Sequence, residues 1–183
     1  MITIVFAHPW HGSFNKAILD TLTNSLDKQG REYCLIDLAK DGFNPSFEEA
    51  DLALYHKGES SDPLVAKYQK FMRCSDEMIF IFPIWWGTMP ADLKGFFDKV
   101  MLLNFSHNYE NGWTPLLNIK KTTVITTSES PTEQYKQSIE EGFVRQMLLP
   151  IGIANVTWFN CERVGSESDE FRQHFLKKLE QQL

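Results

Sequence analysis

The sequence predicts one three-layer α/β domain, a five-stranded parallel sheet of order 2-1-3-4-5 with helices on both faces. Three observations carry that expectation. Short apolar runs alternate with longer amphipathic ones along the whole chain, and strands that alternate with helices join by right-handed crossovers into a parallel sheet. The apolar runs are continuous, as strands covered on both faces are. The two least ordinary stretches, AHPWHGSFN (7–15) and FPIWWGTMP (82–90), fall at the ends of the first and third runs. A doubly wound sheet of this order places its ligand at the carboxyl ends of those two strands.

Each element has its own signal. ITIVFA (2–7) is β-branched and makes strand one. A helix follows from near Ser13, with Ile18, Leu19, Leu22 and Leu26 at helical spacing and Gly30 as its stop. YCLIDL (33–38) is strand two. Residues 41–63, polar and turn-rich, read as one long connection, of a kind that is usually functional or mobile. EMIFIF (77–82) is strand three, and Pro90 opens a helix over 91–103. TTVITT (122–127) is strand four, a helix lies near 133–147, and NVTWFN (155–160) is strand five. SDEFRQHFLKKLEQQL (168–183) closes the chain as a capped helix. With no repeat or low-complexity linker, residues 1–183 form a single domain.

Composition narrows the function. A formal net charge of −6 argues against a nucleic-acid surface, which needs clustered Lys and Arg. The only basic doublets are Lys120-Lys121 and Lys177-Lys178. Cys34, Cys74 and Cys161 are odd in number and make no C-x-x-C pair, which points to a reduced, cytoplasmic setting and to no metal site. No basic leader precedes the first apolar run, and no run approaches the roughly 18 residues of a membrane span. Neither secretion nor membrane insertion is expected.

Two stretches carry chemistry. In H-P-x-x-G-S-F-N, Ser13 alone reads as an ordinary helix cap. Together, the open N–H groups of the helix start, Ser13, Asn15 and the His8 imidazole make a site for one phosphate. Known phosphate fingerprints are missing: no G-x-G-x-x-G follows strand one, and no G-x-x-x-x-G-K-[ST] occurs. Ala7, His8 and Pro83 replace the acidic cluster of a response regulator, and G-x-S-x-G and H-E-x-x-H are absent too. In FPIWWGTMP, the ordinary role of the paired tryptophans is packing. At a strand's carboxyl end between Pro83 and Pro90, they read instead as a stiff shelf for a flat heteroaromatic ring. Backbone N–H groups would meet the ring's polar edge, and Gly87 would permit close approach.

AHP…SFN, FPIWWGTMPADLKGFFDKV and NFSHNYENGW together resemble the NAD(P)H dehydrogenase (quinone) family, of flavodoxin-like fold. That family includes quinone reductases, bacterial relatives called modulator of drug activity B, and ancillary subunits of glutathione-gated potassium efflux systems. The match runs from strand one through strand four, and P-x-x-W-x-x-x-P-A-x-L-K-G-x-x-D-[KR]-V is its specific part. The resemblance implies that His8, Ser13, Phe14 and Asn15 hold the flavin phosphate or its surroundings. It places Pro83, Ile84, Trp85 and Trp86 beneath the isoalloxazine, with Gly87 adjoining, and Thr127 and Ser128 beside it. His107 and Tyr109 match positions that, in dimeric relatives, roof the partner's active site, where His107 could donate to a quinone oxygen.

One departure stands out. Where quinone reductases carry Thr-Thr-Gly-Gly, this chain has Thr126-Thr127-Ser128-Glu129, and the nearest tyrosine is Tyr135. Ser128 could still offer its N–H or hydroxyl to the flavin edge, whereas Glu129 brings bulk and negative charge. No catalytic acid is carried over. The function implied is an enzyme, a flavin-dependent NAD(P)H:quinone (or similar electrophile) oxidoreductase with ping-pong kinetics, acting as a homodimer. The flavin is FAD or FMN; the 41–63 connection and Tyr55 resemble a region that covers an adenosine in FAD-binding relatives. The alternative is a regulatory ancillary subunit of a potassium efflux system. A one-electron carrier ranks last, because HPWHGSFN is unlike the Ser/Thr-rich phosphate loop of such carriers.

Overall fold

The protein is described here by a computed structural model covering residues 1–182. Strands β1 (Ile2–Phe6), β2 (Tyr33–Asp37), β3 (Glu77–Pro83), β6 (Lys121–Thr127) and β7 (Val156–Cys161) form one sheet in the order β2-β1-β3-β6-β7. Every pairing is parallel, as the alternation of runs predicts. A short antiparallel pair, β4 (His107–Asn108) with β5 (Thr114–Pro115), stands apart.

Side chains alternate across a strand, so each central strand feeds two cores. Ile2, Ile4 and Phe6 of β1 and Ile79 and Ile81 of β3 face one side. There they meet Ile18, Leu19, Leu22 and Leu26 of α1 (Phe14–Lys28) and Leu179 of α5 (Asp169–Gln182). Val5, Met78, Phe80 and Phe82 face the other side. That layer is closed by α3 (Pro63–Arg73), by α4 (Ala91–Val100) and by the segment Gln137–Leu148. Helix starts follow ordinary capping chemistry. Asp62 accepts from the Leu64 N–H at 2.9 Å ahead of Pro63, and the Ser168 hydroxyl accepts from the Phe171 N–H at 3.2 Å.

Three expectations are corrected. The helix at 91–103 ends at Val100, because Met101 leaves the helical region (φ −83°, ψ 57°). The helix near 133–147 is a 3₁₀ turn, Thr132–Tyr135, followed by a π-helical segment, Gln137–Leu148. Its buried Ile139, Phe143 and Leu148 are four and five residues apart, so the wider winding keeps one apolar face on the sheet. The 41–63 connection is not one irregular loop: it holds a helix, α2 (Glu49–Tyr55), and its first half is anchored. The buried Lys99 ammonium donates to the carbonyls of Asn44 (3.1 Å) and Ser46 (3.3 Å) and pairs with Asp51 at 3.2 Å. Gly95 lies under the same loop, where a Cβ would come within 2.3 Å of the Pro45 carbonyl oxygen.

Candidate functional site

The carboxyl ends of β1, β3, β6 and β7 leave a cleft of about 280 Å³. Its first wall is the loop from β1 into α1, with His8, Trp10, Ser13, Phe14 and Asn15. Ser13 caps α1: its hydroxyl accepts from the Lys16 N–H at 3.2 Å, and its carbonyl accepts from Lys16 and Ala17. The N–H groups of Phe14 and Asn15 have no protein acceptor, as the geometry of a helix start requires. Asn15 is buried; its Oδ1 accepts from Thr127 Oγ1 at 2.6 Å, while its Nδ2 has no partner. Two open backbone donors therefore lie at one end of the cleft, with the buried, unpartnered carboxamide beside them.

His8 stands beside them. Its Nδ1 accepts from the Trp10 N–H at 3.1 Å, so the neutral ring carries its proton on Nε2. Burial lowers its pKa from 6.5, and the neighbouring His11 lowers it further. The Trp10 indole lies against Gly12, where a Cβ would sit 2.5 Å from the ring.

The second wall is Pro83, Ile84 and Trp85. The Ile84 N–H donates to the Thr127 carbonyl at 2.8 Å, which ties the wall to β6. Trp85 and Thr88 exchange backbone bonds at 2.9 and 3.2 Å around Trp86 (φ 51°) and Gly87 (φ 81°). Positive φ at both central residues is the type I′ turn, so Gly87 serves the turn itself. A Cβ on Gly87 would meet no atom of the protein, so the turn's positive φ is what calls for the glycine within the chain. Trp86 is fully exposed, at 104%, and neither it nor Gly87 lines the cleft of this chain.

The third wall comes from β6 and β7: Thr127, Ser128, Glu129, Val164 and Gly165. Ser128 is held within the chain. Its N–H donates to the Cys161 carbonyl at 3.0 Å, its carbonyl accepts from Val164, and its hydroxyl donates to Ser130 and accepts from Asn160. Both donors of Ser128 are thus engaged within the chain, which leaves the cleft its surface and one hydroxyl lone pair. Asn160 continues a chain of satisfied bonds through Thr126, Trp158 and Thr132 to Glu162. Glu129 turns onto the Gly165 N–H, at 3.3 Å.

His107 and Tyr109 are brought together, but not to this cleft. His107 is buried, stacked on Trp113 at 4.0 Å and 8°, with Tyr109 edge-on to both. Burial lowers the His107 pKa, and Trp113 Nε1 donates to the Pro150 carbonyl at 2.6 Å. Tyr55 packs edge-on against Phe47. Sequence reasoning missed Trp10 and the loop after β7; ERVGSES, turn-rich at the carboxyl end of a strand, was the available signal for the latter.

Among the described residues the cleft's titratable side chains are a neutral His8 and Glu129, and no lining hydroxyl is hydrogen-bonded to His8. The Cys161 thiol, pushed up to about 11 by burial, is inert. Such a site binds and orients. No cluster that could hold a metal, and no helix long and apolar enough to cross a membrane, occurs among the described residues.

A helix start with open donors beside an apolar wall, at the switch point of a doubly wound sheet, is the arrangement of a flavodoxin-like protein. The chain belongs to the flavodoxin-like fold family, which it matches over residues 1–183. NAD(P)H dehydrogenase (quinone) 1 of Rattus norvegicus is 31% identical over 167 residues, 81% of this chain and 60% of the relative. A Haemophilus influenzae protein named as an uncharacterized NAD(P)H oxidoreductase is 28% identical over 160 residues, 84% of this chain and 79% of the relative. The crystal structure of Smu.1420 from Streptococcus mutans shares 33% identity at a TM-score of 0.83, covering 98% of this chain and 96% of that one. The chain spans less than two thirds of the rat relative's length.

Proposed function

We propose that the protein is a flavin-dependent oxidoreductase that takes reducing equivalents from NADH or NADPH and delivers two electrons to a quinone or similar flat electrophile. One observation carries the reading: two open helix-start N–H groups and the buried Asn15 carboxamide, whose Nδ2 has no partner, belong to the same cleft as an apolar wall of Pro83, Ile84 and Trp85. A flavin has matching ends, a phosphate and a flat ring, in both FMN and FAD. When bound, it supplies the hydride chemistry that no side chain of this cleft supplies. The relatives named for NAD(P)H dehydrogenase and oxidoreductase activity support the same reading.

The chain's own residues bind and orient. Phe14 and Asn15 N–H groups, with the Asn15 carboxamide, would hold the phosphate at the positive end of α1. His8, neutral, would add an Nε2–H donor. Pro83, Ile84 and Trp85 would seat the ring, and the Trp86 and Gly87 N–H groups, unused within the protein, would meet its polar edge where it extends past the cleft.

A homodimer belongs to this reading. Tyr109 (62% exposed) and Trp113 (48%) form an aromatic cluster with His107 that its own cleft does not use. A second copy's cleft gives that cluster a role. Sedimentation should therefore give twice the chain mass, and a monomer would remove the role of His107 and Tyr109. Kinetically, donor and acceptor occupy one cleft in turn, so double-reciprocal plots should be parallel. Intersecting lines would contradict alternate occupancy.

A further inference from the structure

We propose that Glu129 makes the cleft select uncharged or cationic acceptors over anionic ones. This rests on the oxidoreductase reading and deepens it. Among the described residues, Glu129 is the only cleft-lining side chain that carries a full charge at neutral pH, since His8 is held neutral. Its carboxylate has no ion-pair partner among the described residues. Its one hydrogen bond is that from the Gly165 N–H. The nearby cations are committed elsewhere: Arg163 faces Glu162 at 3.8 Å, and Arg172 holds the carbonyls of Val164 and Glu167 and pairs with Asp169.

The carboxylate also has a seat at the cleft wall, on the Gly165 N–H. A Cβ at position 165 would lie 2.8 and 2.9 Å from the two Glu129 carboxylate oxygens, so the glycine is what lets the carboxylate settle there. Backbone bonds from Ser128 to Cys161 and from Val164 to Ser128 stitch the two loops together on either side. An acceptor bearing a sulfonate or carboxylate would enter beside an unneutralised, positioned negative charge. Because Glu129 is exposed, solvent weakens the repulsion. One unit charge several ångströms away in that setting corresponds to roughly three- to tenfold in affinity.

Glu129 could instead be only a staple between the loops, and Glu129→Gln separates the two roles. Glutamine keeps an oxygen for the Gly165 N–H and removes the charge. The experiment is equilibrium binding of a neutral naphthoquinone and its sulfonate to the purified protein without nicotinamide, followed by tryptophan quenching at low salt. The wild type should favour the neutral compound, and Glu129→Gln should narrow that ratio roughly three- to tenfold. High salt should narrow the ratio in the wild type and leave the variant's nearly unchanged. A ratio that is the same in both proteins, or insensitive to salt in the wild type, overturns the proposal. Turnover of both compounds with NADH and NADPH, measured separately, decides the oxidoreductase reading, so either can fail alone.

Discussion

Thr127 Oγ1 donates to Asn15 Oδ1 at 2.6 Å, with both side chains buried, and this bond ties the start of α1 to the end of β6. It orients the carboxamide and leaves Nδ2 a buried donor without a partner. An unsatisfied buried donor costs about 1–3 kcal/mol, a cost explained by a ligand that takes the bond. Asn15→Ala should weaken FMN or FAD rebinding about ten- to hundredfold, the scale of a hydrogen bond to a charged group. Titration of the cofactor-stripped protein measures it. Unchanged affinity would remove Asn15 from the phosphate site.

Trp86 holds a left-handed backbone (φ 51°) with a fully exposed side chain. That conformation costs a non-glycine residue about 1–2 kcal/mol, and asparagine tolerates it better. Trp86→Asn should raise stability by about 0.5–1 kcal/mol, seen as a higher Tm, and should lower kcat/KM for a quinone. A lower Tm would show that the indole contributes to folding.

The parallel order and both site loops were legible in the sequence because unbroken apolar runs and Pro/Gly/Trp-rich strand ends are local signals. Three features were not. The π-helical winding of 137–148 depends on how Phe143 meets β3, a tertiary demand. The anchoring of the 41–63 connection depends on Lys99, whose sequence context reads as a plain helix surface. Ser128 looked available because its four hydrogen-bond partners come from β7 and the loops around it.

Phe143 meets Phe80, Phe82 and Phe97 edge-on, with centroids 5.6, 5.4 and 5.4 Å away. Phe143→Ala should cost about 3–5 kcal/mol, because it removes a fully buried ring and leaves a cavity. Denaturant unfolding with an unchanged m-value would report it. A loss below about 1 kcal/mol would mean that the π-helical segment is not part of the cooperative core.

His8 should titrate below 6.5, held down by burial. As pH falls through 6.5 the unfolded chain takes up a proton that native His8 resists, so its contribution to stability, complete above 6.5, is lost on acidification. An anion beside the ring favours the charged form, so FMN or FAD should raise this pKa. Histidine NMR across the titration should show the Nε2–H tautomer at neutral pH. A ligand-free pKa at or above 6.5 would contradict this account of the ring.

The most direct test of the central claim is the absorption spectrum of the purified protein, before and after reconstitution with FMN and FAD, followed by anaerobic addition of NADH or NADPH. The account expects flavin bands that bleach with the nicotinamide and return when a quinone is added. A colourless protein that takes up neither flavin would contradict it.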